Sequence, residues 1–228
     1  MPAKLKALFL LALPFIFLSA FQRNTSTIEK GTKAIKIQWV DDSKGDFSFR
    51  NEWSYEENIF PNSCGQLGCD VFCPEEIDRM QTESGCIIQD SLEAFYKLVD
   101  TTHQYHTISC DAWCYEYGGT DFIEARHLGK DTAEAYTMCN AGTHCSLALL
   151  IVGNYCTPVI DLNSVADTVS RKFACTGGYI KIDKTAWSKD TLKAVFSFGF
   201  YNHLQPHYKL KMFWKGKIYA PVRQREVK

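Results

Sequence analysis

The chain has 228 residues, 46% hydrophobic and 14% aromatic, with a formal net charge of −1. That balance hides a split: residues 41–161 carry 21 acidic against 6 basic side chains, a net of −15, and residues 171–228 carry 13 basic against 3 acidic, a net of +10. Either the two halves face each other, or a basic face on the last strands meets an anionic partner. Nucleic acid is excluded as the expected partner, because no binding motif for it is present.

Residues 1–20 have the three-part layout of a secretory signal peptide: Lys4 and Lys6, an apolar stretch from Ala7 to Leu18, and Leu18-Ser19-Ala20 as the cut. Pro14 and the short apolar length argue against a membrane anchor, and Phe21 stands where a bacterial lipid anchor would need cysteine. Cleavage after Ala20 leaves 208 residues, ample for a real core and without a transmembrane segment. The protein is therefore expected to be secreted or periplasmic. All ten cysteines follow the leader: Cys64, Cys69, Cys73, Cys86, Cys110, Cys114, Cys139, Cys145, Cys156 and Cys175. An even number in an exported chain predicts a disulfide set of unassigned pairing.

Residues 21–32 read as a polar, flexible leader with one formal glycosylation triplet at Asn24-Thr25-Ser26. Ala34 to Val40 alternates as a strand does. Asp41 to Asp46 reads as a turn and Phe47 to Arg50 as the returning strand of a hairpin. The acidic turn lacks the ligand spacing of a helix-loop-helix calcium site. Residues 58–88 read as a cysteine-rich insertion whose spacing is not that of common zinc sites. A short helix is expected over Pro74 to Gln81. A second helix begins at Asp90, with Glu93 completing a capping box. Its apolar stripe of Leu92, Phe95, Tyr96 and Val99 is expected to lie on a sheet.

His103 and His106 are the metal-ligand candidates. One helical turn would put them on one face, but Thr101, Thr102 and the β-branched residues favour extended chain, in which they point apart. Trp113, Tyr115 and Tyr117 recur at every second position of a predicted strand. Three rings on one side could stack on the apolar faces of sugars, or form half of a core. A Gly118-Gly119 turn and a strand from Asp121 to Arg126 follow. Leu147 to Val152 is the longest apolar run beyond the leader and predicts a strand buried on both faces, bracketed by Cys139, Cys145 and Cys156. His144 and Cys145 are adjacent and so point to opposite faces of a strand, which discounts them as base and nucleophile.

Thr157 to Leu162 predicts a strand with Pro158 at its start or on an edge. Tyr179 to Asp183, Leu192 to Phe200 and Tyr208 to Trp214 alternate cleanly, and a Lys215-Gly216 turn is expected before Ile218 to Ala220. Lys209, Lys211, Lys215 and Lys217 are ligand candidates, with protection of strand edges as the simpler role.

The expected fold is mostly β, with sandwich-like antiparallel sheets and one or two short helices, and α+β as the alternative. Residues 33–228 form one domain in this reading. The expected function is a binding or cell-surface interaction module without catalysis or cofactor, its partner a carbohydrate or other anionic extracellular molecule. One alternative is a hydrolase drawing on Asp111, Glu116, Asp121 and Glu124 from separate strands. Another is a structural or inhibitory scaffold presenting loop 60–86. No serine nucleophile elbow, zinc-protease helix or phosphate loop occurs.

Overall fold

A computed structural model describes residues 32–55, 59–69, 73–138, 144–164, 168–207 and 211–224. Residues 1–31, which include the predicted signal peptide, as well as Cys139 and Lys209, lie outside them. The chain opens with two short strands, β1 (Ile35–Lys36) and β2 (Gln38–Val40), then a 3-10 turn over Ser48–Asn51 and β3 (Trp53–Tyr55). A small hairpin, β4 (Ile59–Pro61) and β5 (Leu67–Cys69), precedes the helices α1 (Glu75–Asp78) and α2 (Leu92–Leu98). Next come β6 (His103–Tyr105), which pairs with β3, and β7 (Ile108–Trp113). The remainder is almost all strand: β8 (Ile123–Gly129), β9 (Thr132–Thr137), β10 (Cys145–Val152), β11 (Tyr155–Asn163), β12 (Ser170–Asp183), β13 (Thr191–Phe200) and β14 (Met212–Arg223). One turn of helix, α3 (Lys184–Trp187), links β12 to β13.

β8 to β14 form a closed seven-stranded barrel. Each strand pairs antiparallel with the next in sequence. An odd number of alternating strands leaves the first and last running the same way, and β14 indeed closes on β8 in parallel, Val222 opposite Ala125. The expected sandwich is therefore corrected. Period-two burial is common to sandwiches and barrels, and only the long-range β14–β8 pairing separates them.

Inside, large and small residues share one core. Phe196, Phe198 and Trp214 come from β13 and β14, and Ala125, Ala133 and Ala135 from β8 and β9, all nearly inaccessible. A barrel this narrow is filled by its own side chains. On β10, Leu147, Leu149 and Ile151 are buried inward while Ala148 and Leu150 are half-buried, so the strand is not covered equally on both faces. The longest strands outrun their partners, and short strands fill the wedges. β11 pairs with β12 at Val159–Asn163 and with β1 at Tyr155–Cys156. Pro158 falls in the gap between those two ladders, where its missing N–H costs least. β14 pairs with β7 from Phe213 to Ile218 before it reaches β8.

Four local expectations are corrected. The 41–50 hairpin does not form: Asp46 Oδ1 accepts the Ser48 N–H at 2.9 Å, and the chain turns into the 3-10 segment. The strand through Trp113 ends there, because Glu116 adopts φ 53° and Tyr115 and Tyr117 leave the sheet. Lys215-Gly216 is not a turn. Gly216 lies within β14, where a Cβ would stand 2.3 Å from the Ser109 carbonyl oxygen, so glycine serves close strand approach. The capping box is absent too: Ser91 precedes α2 without a side-chain cap, after a 3-10 turn over Gln89–Ser91.

The cysteine-rich excursion has its own small core of Ile77, Ile87, Phe95 and Val99, and α2 packs there instead of on the barrel. Tyr96, on the predicted stripe, is 43% exposed. Bridges Cys64–Cys86 and Cys69–Cys73 hold this unit. Cys110, Cys114, Cys145, Cys156 and Cys175 are unbridged.

Candidate functional site

The larger concavity is an open cleft of about 610 Å³ on the outer surface, beside β12, α3, β13 and β14. Alternation builds its floor. Leu192 and Ala194 point into the barrel, so Thr191 and Lys193 face out, and Tyr219 does so between Ile218 and Ala220. The loop after β2 and the 3-10 turn add Asp41, Asp42, Phe47 and Arg50 as a wall.

Asp183 anchors this arrangement. Its carboxylate caps α3 through the Ala186 N–H at 2.9 Å, accepts the Ser43 N–H at 3.0 Å, and meets Lys193 Nζ at 3.2 Å. Burial alone would raise its pKa, but these donors outweigh burial and hold it at about 2. Lys193 also reaches Asp42 at 3.3 Å. Burial disfavours the Lys193 charge, yet the two carboxylates win and its pKa is raised. Phe47 meets Tyr219 edge-on at 6.2 Å, and the Arg50 guanidinium lies 4.7 Å above the Tyr219 ring. Among the described residues, no carboxylate pairs with Arg50 or Lys189, both exposed in the cleft.

A smaller cavity of about 230 Å³ is lined by Glu52, His106, Cys110, Tyr117 and Asp121, among others. Antiparallel pairing of β3 with β6 brings Ser54 diagonally to His106, with Ser54 Oγ 2.7 Å from Nε2. Glu52 Oε2 lies 3.8 Å from His106 Nδ1. Asp121 Oδ2 lies 3.8 Å from Nε2 and accepts from Ser54 Oγ at 3.4 Å. Serine, imidazole and carboxylate thus stand in chemical order, with the carboxylate beyond hydrogen-bond reach of the ring. Nothing in the sequence marked Ser54 or Glu52, since a strand register about fifty residues long in chain distance joins them to His106.

The sequence-predicted site residues are dispersed. His103 is exposed and packs its ring 4.1 Å from that of Trp53, whereas His106 turns to Ser54. No group of three metal-holding side chains converges among the described residues. Trp113, Tyr115 and Tyr117 are partly buried against the core. Tyr115 Oη pairs with Asn202, and Tyr117 packs edge-on against Trp214 at 5.0 Å. Lys215 pairs with Asp111 at 3.0 Å, Lys217 donates to the Asp46 carbonyl at 2.8 Å near the cleft, and Lys211 is exposed. Of the four carboxylates, Asp111 is thus engaged by Lys215, Glu116 accepts Ser164 Oγ at 2.6 Å, Asp121 flanks His106, and Glu124 is exposed on β8.

The chain matches no known family model, no curated protein and no solved structure.

Proposed function

We propose that this is an exported binding module without catalysis, and that the outer cleft takes an acidic saccharide. The observation that carries the reading is the grouping of two cations that meet no carboxylate among the described residues, Arg50 and Lys189, with the rings of Phe47 and Tyr219 in one concavity. A guanidinium suits a sugar carboxylate or sulfate bidentately. Flat rings suit the apolar faces of pyranoses. The Asp42–Lys193–Asp183 network holds the floor in place, so little ordering cost falls on binding.

Calorimetry with oligogalacturonate, a heparin tetrasaccharide and cellotetraose tests this. Binding is expected for an acidic ligand, to weaken with salt, and to fall roughly tenfold or more in Arg50→Ala and in Lys189→Ala, the scale of one charge-assisted hydrogen bond. Equal binding of neutral and acidic sugars, or indifference to both substitutions, would overturn it.

The 2.7 Å contact between Ser54 Oγ and His106 Nε2 favours a second reading, a hydrolase at the smaller cavity. With its proton on Nδ1 facing Glu52, the imidazole can accept the serine proton as nucleophile and base require. A fluorophosphonate probe should then label Ser54 in the folded protein and not in His106→Ala. A folded chain that stays unlabelled ends this reading.

A further inference from the structure

Four of the unbridged cysteines fall into two neighbouring pairs. Cys114 follows β7 and Cys145 opens β10. The His144 N–H donates to the Glu116 carbonyl at 2.9 Å, which draws the two segments together and sets the Cys114 and Cys145 thiols beside each other. Cys156 on β11 and Cys175 on β12 are both 0% exposed and point into the same interior. One short segment touches both: Ile35 pairs with Cys156, and the Lys33 N–H donates to the Cys175 carbonyl at 3.0 Å.

We infer that the mature protein carries two further disulfides, Cys114–Cys145 and Cys156–Cys175, which lock the barrel itself. In the cell this rests on the export reading, since an oxidising compartment is required. Each bridge forms as two thiols lose two protons and two electrons. The oxidant is a disulfide, of glutathione or of a dithiol oxidase, whose own S–S bond breaks and leaves as two thiols. The attacking species is a thiolate, and burial pushes the Cys156 and Cys175 thiols up, away from that form. The interior bridge therefore closes during folding, before the barrel seals, and not by later oxidation of a finished barrel. The Cys114–Cys145 bridge also pins the segment that carries Tyr117 to the small cavity.

The full chain, reduced and refolded in mixed reduced and oxidised glutathione, is alkylated, digested without reduction and mapped by mass spectrometry. Linked peptides joining Cys114 to Cys145 and Cys156 to Cys175 are expected. Alkylation at these positions, or links to other cysteines, would overturn the pairing. Melting midpoints give a second readout. Cys114→Ala, Cys145→Ala and the double variant should lose the same increment under oxidising conditions, because each removes one shared bond, and additive losses would count against it. Linked peptides after refolding, with free thiols in the chain taken from its own cells, would uphold the pairing and overturn only the export reading.

Discussion

Asp183 shows how one side chain ties the outer cleft to stability. It is 5% exposed and holds two backbone N–H groups and Lys193. Its folded pKa, about 2, lies below its ordinary 3.8. The stabilisation is therefore complete above the ordinary value and is lost as pH falls through the folded one. Asp183→Asn should lose about 2 kcal/mol at neutral pH, by the same linkage. The gap to the parent should shrink towards zero as the medium is acidified to the folded pKa. Urea denaturation across the acid range measures both, and a gap independent of pH would show that shape, not charge, is what the carboxylate supplies.

At the scale of elements, β14 shows where sequence patterning reaches its limit. The alternation of β12, β13 and β14 was legible because one face of each is buried and the other wet. Gly216 was read as a turn because glycine before a lysine in a β run has two physical uses, and only the neighbouring strand tells them apart. Here β7 crosses so closely that a Cβ would meet Ser109 and Cys110. Gly216→Ala is expected to cost roughly 1–3 kcal/mol through overpacking, read as a lowered denaturation midpoint. Gly129→Ala, with nothing within 4 Å of the added atom, is the control and should stay within about 0.5 kcal/mol. The cleft was less legible than the strands. Lys193 and Asp183 were visible as strand residues, but Arg50 and Phe47 join them only through a loop whose hairpin reading failed. Ser54 and His106 meet through a two-stranded pairing too short to leave a periodic signal.

On the scale of the whole molecule, part of the charge split is met by mutual facing. Lys215 meets Asp111, Lys193 meets Asp42 and Lys172 meets Asp161, so the basic C-terminal strands rest against the acidic first part. The exposed Lys215–Asp111 contact contributes about 0–1 kcal/mol and fixes register more than stability. The excursion and the barrel have separate buried clusters. Replacing Cys64 and Cys86 together by alanine should therefore loosen the first alone, at about 2–4 kcal/mol for the lost bridge. Hydrogen exchange should quicken in residues 59–99 while β8–β14 amides stay protected. Uniform loss of protection would mean one cooperative unit.

The seam between β11 and β12 is straddled by the first strands of the described chain: β1 adds to β11 and β2 runs parallel to β12. Ile35 to Val40 leave the ribosome early, yet their docking surfaces are synthesised far later. The opening segment must therefore wait, unpaired, until most of the polypeptide exists, which makes acquisition of the native state a late and slow event governed by distant contacts. A chain of this topology would keep its early strands unpaired longest, so those strands are the ones a holding chaperone would protect until the ring shuts.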